Sequence, residues 1–364
     1  MTGRDGTPLA EALAAALESR GAVAFAHAGP DRDPAIRYCR SAAAGSRSFT
    51  DGSASRAADT RAIAFDGAEW YAVSSDRASG HPADDLAAKL AERVGTGTVL
   101  TPARIPHDAA LYLERAGFSL ASTDAVERAR SKKMSDERAR IEAAQSAAAA
   151  GLRRGGALLA DATVEDGRLV AAGRAVTADR LRRTIDEAIV AAGGFPDRNT
   201  AVTLPDRGAG LRPGEPIVVA VAPRESTGYY GGLVRTLVVD SEGGEERRAH
   251  VGVTQAFRSA RAMLTADAHS VTAVEADLEA EIRGFGFGER PIETRVAGVG
   301  LESAERPRDG GDRIESRSVV RIEAAVEFAP DRWIRLADLL ARADAGVEWL
   351  AAPSRSIAPS AYPE

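Results

Sequence analysis

Hydrophobic residues are spaced differently in the two halves of the chain. Up to about residue 125, short helical and extended patterns alternate. Residues 9–17 repeat apolar positions at helical spacing, and residues 22–26 form a short apolar run. Residues 61–65 and 69–73 read as two strands around an Asp66-Gly67 turn. Residues 36–39 suggest a strand or a turn leading into one. An amphipathic helix follows at 84–94, a strand at 98–100, and a helix at 107–116 that ends on Gly117. This βαβα rhythm predicts a small α/β domain, a sheet flanked by helices. The charged stretch 127–140 supplies the boundary, giving domains 1–128 and 129–364.

Beyond that boundary the pattern predicts helices at 135–152, with Gly151 as their stop, and at 178–192. The apolar strand 217–222 is followed by a hairpin-like run at 229–239. Helices at 249–266 and 271–283 precede strands at 318–328 and 333–340. Helices packed on one face of an antiparallel sheet make this half α+β. In the strand 318–328, Val320, Ile322, Ala324 and Val326 alternate with Arg321, Glu323, Ala325 and Glu327. Glu323 is then either a ligand or catalytic acid, or a polar-face residue paired with an arginine.

Composition narrows the function classes. With 44% hydrophobic and 27% charged residues the chain has the make-up of a soluble globular protein. No apolar run reaches the ~18 to 20 residues of a membrane span. Residues 1–20 read as an Ala-rich amphipathic helix without a basic segment before an apolar core. No secretory signal is expected, and a cytoplasmic location is. A net charge of −6 disfavours nucleic acid as a partner, since that requires a basic face. Cys39 is the one cysteine, so no intrachain disulfide forms, and a buried inert thiol is expected.

Catalytic signatures are sparse. The five histidines (His27, His81, His107, His250 and His269) show neither i, i+4 spacing nor a Cys/His cluster, so no zinc site is legible. There is no G-x-S-x-G, and His269-Ser270 are adjacent in sequence rather than facing each other. Gly284-Phe285-Gly286-Phe287-Gly288 does not follow a strand and open a helix as a nucleotide loop would, so tight turns suffice to explain it. Tyr229 and Tyr230 are expected to pack at least one ring into the core.

Several segments resemble, in order, the motifs of the pita-bread-fold metallopeptidases, the family of aminopeptidase P, prolidase, methionine aminopeptidase and creatinase. Asp33-Pro34-Ala35-Ile36-Arg37-Tyr38 resembles a motif of that family's N-terminal domain. Arg130-Ser131-Lys132-Lys133 with Asp136-Glu137 resembles the start of its catalytic domain. Leu211 to Val219 resembles the strand leading to the first metal-binding Asp. Gly228-Tyr229-Tyr230-Gly231-Gly232-Leu233-Val234-Arg235-Thr236 resembles the family's G-Y-x-x-D-x-T-R-T. Gly298-Val299-Gly300-Leu301-Glu302, Ile322-Glu323 and Trp333 to Asp338 resemble its remaining motifs.

The resemblance implies a creatinase/aminopeptidase-like pita-bread C-terminal domain, and it also marks what is missing. The five positions of the family's metal ligands fall on Val221, Gly232, Ala297, Glu323 and Ala337. Its cleft histidines fall on Ala304, beside Glu305, and on Asp206. One carboxylate among five positions implies a metal-free, catalytically silent homologue with no cofactor. Asp206, Arg235, Glu305, Glu323 and Arg335 would line the vestigial cleft and take a peptide or small anionic ligand, or the protein would serve as an interaction scaffold. Alternatively, Arg235 and Arg335 form salt bridges to Glu305, Glu323 or Asp338. A homodimer is implied, with no nucleic acid and no membrane. The competing expectation is an active Xaa-Pro dipeptidase or aminopeptidase, or a creatinase-like amidinohydrolase, using displaced residues such as Glu225, Glu302 and Glu305.

Overall fold

Side-chain caps from Thr7, Asp33 and His81 start three helices of the first half. The computed structural model describes residues 7–44, 59–206 and 210–363, and divides into two units, Met1–Arg130 and Ser131–Glu364. In the first unit Thr7 caps α1 (Pro8–Arg20), which ends on Gly21 in the left-handed conformation. Strands β1 (Ala24–Pro30), β2 (Thr60–Phe65), β3 (Trp70–Ser74), β4 (Thr98–Thr101) and β5 (Ser119–Ser122) form one mixed sheet in the order β3-β2-β1-β4-β5. The β1–β2 and β2–β3 pairs are antiparallel, whereas β1–β4 and β4–β5 are parallel. Helices α3 (Pro82–Val94), α4 (His107–Arg115) and α5 (Ala125–Ser131) complete the α/β unit with α2 (Pro34–Ala43).

Helix α2 corrects the strand or turn expected around Cys39. The Asp33 carboxylate accepts the amides of Ala35 and Ile36 at 2.8 and 3.0 Å, and Pro34 occupies the first turn. Ile36, Cys39 and Ala43 then recur at helical spacing and are buried. The Cys39 thiol is fully enclosed, and burial pushes its pKa up, which leaves it inert.

The second unit opens with α6 (Ser135–Ala160), a three-stranded antiparallel sheet of β6 (Thr163–Glu165), β7 (Arg168–Ala171) and β8 (Arg174–Ala175), and α7 (Ala178–Ala191). The small sheet has no counterpart in the sequence expectation. Helix α6 also runs past Gly151, which is a packing residue rather than a stop. A Cβ on Gly151 would lie 2.7 Å from Ile189, and one on Gly155 would lie 2.8 Å from Ile185, so both glycines let α7 approach.

The large sheet comprises β9 (Thr200–Thr203), β10 (Ile217–Val221), β11 (Leu233–Leu237), β12 (Ile292–Gly298), β13 (Ser318–Ala329), β14 (Arg332–Ala343) and β15 (Gly346–Trp349). Its order is β12-β13-β14-β11-β10-β9, with β15 added to β14, and every named pairing is antiparallel. Helices α8 (Glu245–Ala266) and α9 (Val271–Ile282) bury Val253, Phe257 and Leu278 against Val320, Ile322, Ala324 and Val326. Helices α6 and α7 pack Leu152, Ile185 and Ile189 against Ile217, Val219, Val221 and Leu233. Beyond α9, Arg283–Phe287 makes a single wide turn that buries Phe287. The helices thus take one face of the sheet and leave the alternate side chains of the other face for a site.

Candidate functional site

Strand register decides which side chains share the uncovered face, because directly paired residues project to the same side. Arg295 pairs with Glu323 and Ala297 with Arg321. Glu323 pairs with Ala337 and Ala325 with Arg335. Ala337 in turn pairs with Val234 on β11. Arg295, Ala297, Arg321, Glu323, Arg335, Ala337 and Val234 therefore lie together.

Glu323 is held from two directions. Arg335 donates to its Oε1 at 2.9 Å, and Arg321 donates to its Oε2. Arg335 also pairs with Glu293 and lies over the Trp333 ring at 5.9 Å. Burial disfavours the Arg335 charge, but the Glu323 and Glu293 carboxylates outweigh it and hold its pKa above the ordinary value. Arg321 is the opposite case. Burial pulls its pKa down, Glu323 opposes, and the neighbouring Arg295 and Arg335 push it further down. Its Nε is buried and has no hydrogen-bond acceptor among the described residues.

Two cavities meet at this cluster. One of about 370 Å3 is walled by Pro216, Val218, Ala220, Val234 and Trp333, with charged groups at its edge. The other, about 150 Å3, is lined by Arg295, Ala297, Ser303, Ala304, Arg321 and Glu323. Arg321 and Glu323 line both.

Of the five residues proposed from sequence to line a cleft, the fold brings Glu323 and Arg335 together. Arg235 and Glu305 line neither cavity. Arg235 points under the helices, is fully buried, and donates to Asp338 at 2.6 Å and to the Ala337 and Ser354 carbonyls at 2.9 Å. Asp338 also accepts from Arg355 Nε at 2.6 Å. Asp338 is one of the three salt-bridge partners anticipated for these arginines, and Glu323 is another. Glu305 is enclosed with Lys133, whose Nζ lies 2.8 Å from it. Asp206 is exposed, next to Leu204 and Pro205 at the rim of the larger cavity.

The positions matched to metal ligands are equally specific. Val221 is packed in the core with Leu233, its register partner. Gly232 gives its N–H to Gln145 Oε1 at 2.8 Å, and a Cβ there would meet Arg321 Cδ at 3.7 Å. Ala297 walls the small cavity, and Ala337 is fully enclosed. Glu225 is committed to its own loop, accepting the amides of Thr227 and Tyr229 at 2.8 and 3.0 Å. Tyr229 is buried and donates to Glu137 at 2.9 Å. Arg295, Arg321 and Glu293 were not singled out from sequence. Period-two counting from Glu323 puts Arg321 on its face, but the contributions of β12 become legible only through the register.

The model of metallopeptidase family M24 matches residues 135–344, more than half of the chain. The chain belongs to metallopeptidase family M24. Solved structures agree on the fold. The Xaa-Pro dipeptidase from Bacillus anthracis superposes with a TM-score of 0.76 at 15% identity, over 97% of this chain and 100% of that one. The prolidase from Pyrococcus furiosus gives 0.71 at 16%, over 94% and 100%. Dipeptidase PepE from Mycobacterium ulcerans gives 0.69 at 20%, over 96% of each. No curated protein sequence matches. The second unit of this M24 protein is thus a pita-bread domain, preceded by an α/β domain. Among the described residues no helix is long and apolar enough to cross a membrane.

The family name implies bound metal, and the side chains present do not fit a metal pair. Bridging two hard cations takes several carboxylate oxygens. Glu323 is the one carboxylate at the matched positions, and guanidinium groups occupy both of its oxygens. Among the described residues no group of three or more His, Cys, Asp or Glu gathers to hold an ion.

Proposed function

We propose that this M24 protein has lost hydrolytic metal chemistry and uses the helix-free face of its pita-bread sheet to bind a peptide or small anionic ligand. The observation that carries this reading is that Glu323, the one carboxylate at the matched metal positions, is paired with Arg321 and Arg335. A cation recruited by Glu323 would have to displace two charge-assisted hydrogen bonds, each worth about 1.5–3 kcal/mol. It would do so beside three guanidinium groups, with no second carboxylate in place of Gly232, Ala297 or Ala337. The larger cavity supports ligand binding, because apolar walls with a few charged groups at one edge are what small-molecule sites present. The competing reading, an active Xaa-Pro peptidase, draws support from the fold, and a fold by itself does not supply a reaction.

Metal analysis of the purified protein, paired with an Ala-Pro hydrolysis assay with added manganese, separates the two. Far less than one metal per chain and no turnover above background are expected. Two tightly held metals per chain together with hydrolysis would overturn the proposal. A cytoplasmic homodimer belongs to the same reading, and light scattering tests its oligomeric part.

A further inference from the structure

We infer that the 150 Å3 cavity between Arg295 and Arg321 is a subsite for a single oxoanion, the carboxylate or phosphate headgroup of a ligand whose apolar body fills the adjoining 370 Å3 cavity. The inference rests on the ligand-binding reading above and names the chemistry of the ligand.

Three observations converge on it. First, Arg321 has one edge committed to Glu323, while its buried Nε has no acceptor. A buried donor without a partner is rare enough to call for a missing acceptor. Second, among the described residues the Arg295 side chain takes part in no hydrogen bond or ion pair, and its charge, with that of Arg335, bears on Arg321. Three guanidinium groups thus share Glu323 and Glu293, which leaves unbalanced positive charge beside the small cavity. Third, the cavity has room. Ala297 and Ala304 bring no bulk into it, Ser303 stands at its wall, and its volume of about 150 Å3 has room for several waters. That suffices for a carboxylate or phosphate. Guanidinium groups are suited to such planar or tetrahedral oxoanions, which they grip through paired N–H donors. The larger cavity supplies the other half of the ligand's description, since Pro216, Val218, Ala220, Val234 and Trp333 favour an aliphatic or aromatic body.

Calorimetry on the full chain tests this with N-acetyl-L-leucine and its uncharged amide as probes. The acid is expected to bind about tenfold tighter than the amide or better. Arg295→Ala should remove most of that difference and leave the amide's affinity unchanged. Gly232→Asp should do the same by pairing with Arg321, and the backbone has space for its Cβ. Competition by acetate and by inorganic phosphate then assigns the headgroup, the stronger competitor naming it. Equal affinity for acid and amide would overturn the oxoanion subsite, as would an acid preference that survives Arg295→Ala and Gly232→Asp, or a bound acid that neither anion displaces. The broader reading fails separately, through stoichiometric metal and Ala-Pro turnover.

Discussion

Replacing Asp338 by Asn tests whether the Arg235–Asp338–Arg355 network holds the fold or serves the ligand face. The substitution keeps the shape of the side chain and removes its charge. Asp338 and Arg235 are both completely enclosed, and the carboxylate accepts a guanidinium hydrogen bond on each oxygen at 2.6 Å. Asn offers one oxygen and one NH2, so one guanidinium would face a donor in place of an acceptor. Removing one partner of a buried ion pair costs about 3–5 kcal/mol, because the other charge stays desolvated. Arg235 keeps the carbonyls of Ala337, Ser354 and Pro353, which places the expected loss near the lower end, at roughly 3 kcal/mol. At about 2–4 °C per kcal/mol for a domain of this size, Tm should fall on the order of 10 °C. Urea unfolding and calorimetry would measure both quantities. A loss under about 1 kcal/mol, the scale of an exposed pair, would refute the assignment. So would unchanged stability with lost ligand binding.

Two further outcomes follow from local geometry. Burial raises the Asp33 pKa, but its hydrogen bond to His27 and the amides of Ile36 and Ala35 outweigh that and hold it below 3.8. A depressed acid contributes stability that is complete above its unfolded pKa and lost as pH falls through the folded value. Asp33→Ala should therefore cost about 1 kcal/mol at neutral pH, and the deficit should shrink below pH 4, as followed by denaturant midpoints across pH. In α6, Gly156 faces Tyr362, and a Cβ there would lie 2.5 Å from the tyrosine Cβ. Gly156→Ala should destabilise by about 1–3 kcal/mol in urea titration despite alanine's better helix propensity. A neutral or stabilising result would mean that the C-terminal segment yields easily.

Local signals are faithful where neighbouring residues settle the matter. Alternation along residues 318–328 separates the helix-packed positions from the Arg321 and Glu323 face, and the structure keeps that division. Asp33 and Pro34 carry the start of α2, although the strand-like sequence after them suggested otherwise. Gly151 shows where local rules stop, since the same residue type ends a helix or lets another helix approach, depending on what lies 30 to 40 residues away. Arg235 shows it over a longer span. Its motif suggests a cleft, but its orientation is set by β11 pairing with β14, about a hundred positions later.

Residue type and spacing alone carry the family frame, the helix and strand periodicity, and the lack of side-chain oxygen or nitrogen donors at Gly232, Ala297 and Ala337. What replaces those donors emerges from long-range strand pairing. Arg295, Arg321 and Arg335 come from three strands and meet around Glu323 through interstrand register, a relation that hydrogen bonds between distant segments create and that local spacing does not encode.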